Sequence, residues 1–202
     1  MLLAFDTSTA ACTAALFDGS GTCLDRRDEV IGRGHAERLV PMIAELLDGR
    51  TPRQVLVGVG PGSFTGIRVA IAAAQGLAIG WDAELAGMSS LALLAASAHE
   101  PGEIAVALAG GHGELFVQAF DATRSPTGDV ANLPPAQAAS FIGAERIVGS
   151  GARALVEARG WGEAHDRLPS AADALTIPEP LRRLAPKPLY GRAPDARVSR
   201  AA

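Results

Sequence analysis

Residues 55–68 read VLVGVGPGSFTGIR, and this stretch decides the fold. The run 55–59 has the length and β-branched content of a buried strand. The glycine-dense segment 60–66, GPGSFTG, interrupts it, and an apolar, alanine-rich stretch follows over 67–79. This pattern predicts a helix over 64–79 with Ser63 or Thr65 as its N-cap. Strand, glycine turn and helix in that order bring backbone N–H groups and the positive end of a helix dipole to one point. Such a point either holds an anion or lets two backbones pack closely, and on physical grounds both readings stay open.

Upstream, the apolar start 2–5 ends at Asp6-Thr7-Ser8-Thr9, and strand candidates follow at 12–17 and 23–30 with turn chemistry between them. Three closely spaced strands of this kind predict an antiparallel meander. From His35 the period changes to that of a helix, with Ala36, Leu39, Val40, Ile43, Leu46 and Leu47 on one face. Pro41 should kink that helix or delay its start, and Gly49 should close it. Downstream come a short strand near 84–88 and a helix over 89–98, capped by Ser89 or Ser90.

His99-Glu100-Pro101-Gly102 breaks the pattern and marks a boundary between units 1–100 and 101–202. The same order then restarts: strands 103–109 and 114–120 around the turn Gly110-Gly111-His112-Gly113, a turn-rich stretch to Pro135, helix 136–142, strand 145–148 and helix 152–159. A further helical candidate covers 171–184, and the tail from Pro186 carries little periodicity. Two consecutive units of this kind predict a duplicated α/β fold like that of actin, Hsp70 and the sugar kinases (the ASKHA fold), with mixed sheets flanked by helices and a reduced second unit.

Composition narrows the function classes. The 202 residues are 48% hydrophobic and 20% charged, which supports a packed core over disorder. A net charge of −4 with no basic stripe argues against a dominant direct grip on nucleic acid, and 4% aromatics argues against a base-stacking surface. Cys12 and Cys23, without a secretory signal, read as reduced thiols of a cytosolic protein. No apolar stretch is expected to reach membrane-spanning length, because Gln75, Gly76 and Gly80 break the one after Ile67.

The candidate nucleotide-binding residues are Asp6, Thr7, Ser8, Gly60, Gly62 and Ser63. Asp6 and its hydroxyl neighbours can sit beside a metal–phosphate group or bond their own backbone in a turn, and the turn is the commoner outcome. The segment 60–66 is not a Walker loop, since Ile67 stands where the Lys belongs, and its glycine spacing does not fit a dinucleotide fingerprint. Arg68 pairs a phosphate, stays exposed or bonds a carboxylate. His35 lacks a second ligand one turn on, where Leu39 stands, so no metal site is expected. Ser63 lies outside a GxSxG elbow, and neither cysteine has a nearby His. The small residues Ala70, Ala73, Ala74, Gly76 and Gly80 fit either helix-on-sheet packing or a subunit interface.

With these motifs in hand, the chain resembles the TsaB (YeaZ) family. The resemblance rests on LAFDTST at 3–9, HAERL at 35–39, VGVGPGSFTGIR at 57–68, GMSSL at 87–91, VGSGA at 148–152 and PLYGRAPDA at 188–196. It spans nearly the whole chain, and GPGSFTGIR is its most specific part. It departs at AGGHGELF, 109–116, where the family carries an Asp-Ala-Arg-like turn followed by Glu-Val-Tyr; Glu114 alone remains of that polar set. The resemblance implies a non-catalytic, cytoplasmic subunit that pairs with and activates a TsaD-like transferase in threonylcarbamoyladenosine modification of tRNA. A TsaE-like ATPase would join a larger complex, tRNA would be contacted only indirectly, and homodimers would form when TsaD is absent. The implied interface lies on the first unit's helices, with His35, Leu39, Ile43, Phe64, Arg68, Ala70, Ala73 and Ala74 as candidates. No cofactor is expected to be required, and a vestigial site would retain weak ATP or ADP binding. The rival expectation is a stand-alone small ATP-binding phosphotransferase of the same fold.

Overall fold

The computed structural model describes residues 1 to 190. Strands β1 (Leu2–Asp6), β2 (Ala11–Phe17) and β3 (Cys23–Val30) form the meander. They are followed by α1 (His35–Leu47), β4 (Gln54–Gly58), α2 (Phe64–Trp81), β5 (Glu84–Met88) and α3 (Ser90–Ala96). β1 pairs antiparallel with β2 and parallel with β4, giving a five-stranded sheet in the order β3-β2-β1-β4-β5.

The second unit repeats the plan. It contains β6 (Ile104–Ala109), β7 (Leu115–Phe120), β8 (Ala131–Leu133), α4 (Pro135–Phe141), β9 (Arg146–Val148), α5 (Ala152–Arg159) and β10 (Glu163–His165). Its sheet also has five strands, β10-β9-β6-β7-β8, and β6 pairs antiparallel with β7 and parallel with β9. The reduction expected of this unit lies in the length of its elements, since three of its strands have only three residues each.

Five layers result. α1 and α2 cover the outer face of the first sheet, where Leu39, Met42, Ile43 and Leu46 meet Leu3, Phe5, Leu16, Val55, Val57, Ile67 and Ile71. α4 and α5 cover the outer face of the second, around Ala105, Val117, Ile147 and Leu155. Between the sheets lies α3, SLALLAA, every residue of which is buried. It packs with Ala4, Leu56, Ile104, Val106 and Phe120, so one core joins both sheets. A helix apolar all round has no solvent face to offer, and this central slot suits it. Ser89 caps it by accepting from the Ala92 N–H.

Several local expectations change. α1 runs through Pro41 without a delayed start, and its inward face includes Met42 while Ala36 and Val40 point outward. His35 is the first residue of α1 and is buried, with Nε2 3.2 Å from the Ala11 carbonyl oxygen. Arg38 ties α1 to the edge strand through a bidentate contact with Glu29, at 2.6 and 2.7 Å, and makes two further contacts with Glu45 on its own helix, at 2.8 and 3.0 Å. The region 171–184 forms two short 3₁₀ turns, Ala171–Thr176 and Glu179–Arg182, because Pro178 and Pro180 interrupt a continuous helix. α2 reaches Trp81 and, against expectation, is long and apolar enough to cross a membrane by length and composition; here it lies on β4 and against α1. The motif residues Gly191 to Ala196 fall outside the described residues.

Candidate functional site

The glycine segment and the Asp6 turn form one knot. Asp6 is wholly buried, and its Oδ1 accepts from the Ser8 N–H and the Ser8 hydroxyl, both at 2.7 Å. Its Oδ2 accepts from the Ser90 hydroxyl at 2.6 Å, and Ser90 Oγ in turn accepts from the Gly60 N–H. Thr7, equally buried, donates its hydroxyl to the Gly66 carbonyl oxygen at 2.7 Å. Ser63 donates its N–H to the Ser8 carbonyl oxygen and caps α2 by accepting from the Gly66 N–H.

The glycines permit this closeness. A Cβ at Gly66 would lie 1.9 Å from the Thr7 carbonyl oxygen, and one at Gly62 would lie 2.4 Å from that of Ser8. Such distances exclude any side chain while the turn keeps its place. Of the two readings of 60–66, the close packing of two backbones is the one this geometry displays. Both oxygens of Asp6 accept hydrogen bonds within the protein, as the turn reading of this segment anticipates. Among the described residues no group of three or more His, Cys, Asp and Glu side chains is placed to hold a metal.

Beside the knot lies a cleft of about 870 Å³ between the two units. Ser8, Gly62 and Ser63 line it, whereas Asp6, Thr7 and Gly60 do not. The opposite wall carries Gly110, His112, Glu114, Phe116, Asn132 and Ser150. Among the described residues, Arg68 is the one Lys or Arg that lines the cleft, and its partners are aromatic. Its guanidinium lies 3.6 Å from the centroid of the Phe64 ring, and Nε donates to the Tyr190 hydroxyl at 3.0 Å. Phe64 and Tyr190 are themselves in ring contact, with centroids 5.5 Å apart. A triphosphate entering this cleft would meet a carboxylate on one side and an arginine already committed to two aromatic rings on the other.

The expected partner face also changes. Leu39, Ile43, Ala70 and Ala74 are buried in the first unit's core, and His35 is buried at the start of α1, so they offer little surface to another chain. Phe64 and Arg68 belong to the mouth of the cleft, and Ala73 is half-buried. What α2 leaves open is a row at helical spacing, Ala72, Gln75, Gly76, Ile79 and Gly80, with Ile79 83% exposed. On α1, Ala36, Val40 and Ala44 are exposed. Gly76 and Gly80, among the small residues noted in the sequence, lie on this exposed row. Ile79 was not singled out, because a helix this rich in apolar residues gives periodicity little to resolve.

Two five-stranded sheets of matching order, packed around a shared helix with a cleft between the units, define a duplicated actin-like α/β protein. The family model described as "TsaD: tRNA N6-adenosine threonylcarbamoyltransferase" matches residues 28–148. A solved structure from Pseudomonas aeruginosa, described as an uncharacterized protein with similarity to peptidase YEAZ, superposes with a TM-score of 0.79 at 32% identity, covering 95% of this chain and 99% of that one. A second, "YeaZ from Pseudomonas aeruginosa", gives 0.75 at 32% identity, covering 87% and 89%. The tRNA threonylcarbamoyladenosine biosynthesis protein TsaB of Haemophilus influenzae is 45% identical over 105 residues, 49% of this chain and 43% of its own length. Its Escherichia coli counterpart is 39% identical over 102 residues, 48% of this chain and 43% of its own length. The matched region thus spans less than half the length of these curated relatives. The chain belongs to the TsaB/YeaZ family.

Proposed function

We propose that this protein is a non-catalytic subunit that binds and activates a TsaD-like transferase, supporting threonylcarbamoyladenosine formation in tRNA. The observation that carries the reading is α2. Its 18 residues are mostly apolar, with Thr65, Arg68 and Gln75 the exceptions, yet only 33% of them are buried within the chain. An apolar helix face that its own fold leaves uncovered calls for a partner. The small residues Ala72, Gly76 and Gly80 would let a second helix approach closely, and Ile79 would supply the anchor. A TsaD-like subunit would present a related fold, so like helices would pack on like.

In this reading a TsaE-like ATPase joins the pair in a larger cytoplasmic complex, and a second copy of the chain covers the same face when TsaD is absent. The acidic balance of the chain leaves tRNA contact to the partner. Co-purification with the TsaD-like subunit of the same organism tests it. The parent chain should form a stable complex and raise modification activity. Ile79→Lys should melt like the parent and bind at least tenfold more weakly. A parent chain that forms no complex and stimulates no modification sinks the proposal.

The 870 Å³ cleft favours one rival, a stand-alone ATP-binding phosphotransferase. Tight ATP binding together with phosphoryl transfer by the isolated chain would establish that rival instead.

A further inference from the structure

The chain crosses from the first unit to the second through residues 97–102, SAHEPG, a segment that lies outside every helix and strand. Its carbonyl oxygens need donors from elsewhere. Arginines of the second unit supply them. Arg167 Nη1 donates to the Ser97 carbonyl oxygen at 2.8 Å, and Arg146 Nη1 to that of Pro101 at 2.9 Å. Arg124 spreads over three residues: Nη1 donates to the Gly102 carbonyl oxygen at 2.8 Å, while Nη2 reaches that of Ala98 at 3.5 Å and, more closely, that of Glu100. Arg124 stands in the turn after β7, Arg146 opens β9, and Arg167 follows β10. The crossing is therefore held as a part of the second unit.

The returning chain is tied to the same place. Ser170 donates its N–H to Ser97 Oγ at 3.0 Å, and Arg167 Nη2 donates to Glu100 Oε1 at 2.9 Å. His99 Nε2 stands 3.5 Å from Asp173 Oδ1. Outgoing and returning segments are thus bound to each other at the closed end of the molecule's two-unit plan. Proteins whose units close around a ligand rotate about a few loop residues that absorb the change in φ and ψ. Here those residues would have to swing carbonyls that one planar fork holds in fixed relation to each other, so their rotations are opposed together. Pro101 removes φ from the set outright.

We propose that Arg124, Arg146 and Arg167 are a lock on the crossing that holds the cleft at one width. The shared core around α3 resists separation of the two sheets, and the guanidiniums resist their rotation. The second unit does not swing on the first, and the cleft accepts or rejects a molecule by its standing shape, without closing on it.

Paired spin labels test this. Glu37 on α1 and Arg153 on α5 are exposed and belong to the two outer layers, and each is changed to Cys in a chain carrying Cys23→Ser, since Cys23 is exposed and Cys12 is buried. Double electron–electron resonance on that chain should give one distance, no broader than the labels' own rotamers allow. Arg124→Ala combined with Arg167→Ala should widen the distribution at least twofold. Arg124→Lys keeps the charge but loses the planar fork, and should widen it less. Circular dichroism shows which variants are folded when labelled, and the lysine variant decides the matter if the double one is not. A broad or two-peaked distribution in the parent overturns the proposal. A folded double variant as narrow as the parent also overturns it, as does a narrow lysine variant where the double one fails to fold; either result assigns the rigidity to the α3 core alone.

Discussion

Gly66 and Gly76 occupy the same helix and should respond to alanine in opposite directions. Both have ordinary helical backbones, so on propensity alone each change to Ala should gain about 1 kcal/mol. At Gly76 no atom lies within 4 Å of the new methyl, and the residue is exposed. Gly76→Ala should therefore stabilise by about 0.5–1 kcal/mol. At Gly66 the methyl would stand 1.9 Å from the Thr7 carbonyl oxygen, a backbone atom that cannot rotate away. The β1–β2 turn must shift, at an overpacking cost of about 1–3 kcal/mol. That shift also strains the bond from the Thr7 hydroxyl to the Gly66 carbonyl oxygen, worth about 1 kcal/mol. Subtracting the propensity gain leaves a net loss of about 1–3 kcal/mol. For a chain of this size the loss corresponds to a Tm lower by about 2–12 °C, while Gly76→Ala should sit about 1–4 °C above the parent. Thermal melts of the purified variants by circular dichroism decide the matter. A Gly66→Ala protein that melts at or above the parent would refute the reasoning, because it would mean the turn and helix are not locked together.

Two further outcomes follow from the same geometry. Asp6→Asn removes a buried charged acceptor, and with its carbonyl oxygen kept for the two Ser8 donors its N–H₂ would face the Ser90 hydroxyl that now donates to Oδ2, so it should destabilise by about 1–3 kcal/mol; an unchanged melt would remove Asp6 from the knot. Of the two thiols, exposed Cys23 should react with Ellman's reagent at once and buried Cys12 only on unfolding. Burial, reinforced by the charge of Glu29, pushes the Cys12 thiol up to about 11, so the folded state keeps a proton that the unfolded chain begins to lose near pH 9. The stability this contributes is complete below pH 9 and lost as pH rises towards 11. Chemical unfolding across that window should show the loss, and Cys12→Ala should lessen its slope.

The first unit was legible because its elements are long and strongly patterned, and the β1 to β5 order follows from a meander succeeded by two strand–helix steps. What escaped was short or set by distant contacts. β8 and β10 have three residues each, too few for any period to register. The inward face of α1 was misjudged at Ala36 and Val40 because a wide apolar stripe fits more than one rotation of the helix. The Asp6 turn could not be settled from sequence because the decisive partner of its Oδ2, Ser90, stands 84 residues away. Likewise Arg68 has its aromatic clamp completed by Tyr190, 122 residues on, which no local rule anticipates. The run 60–66 was singled out by its glycines, but the close approaches that require two of them, Gly62 to Ser8 and Gly66 to Thr7, are set by residues more than fifty positions away.

α3 carries a consequence for how such a molecule arose and how it comes apart. Two similar halves suggest that one ancestral half once stood alone. Here the last helix of the first half is embedded against strands of both. A chain severed near residue 100 would leave a seven-residue apolar helix with one wall missing, and the second half would expose the sheet surface that faced it. Each half has become part of the other's interior. The duplication is thus no longer reversible, and the molecule should melt as a single cooperative unit despite its two-sheet anatomy.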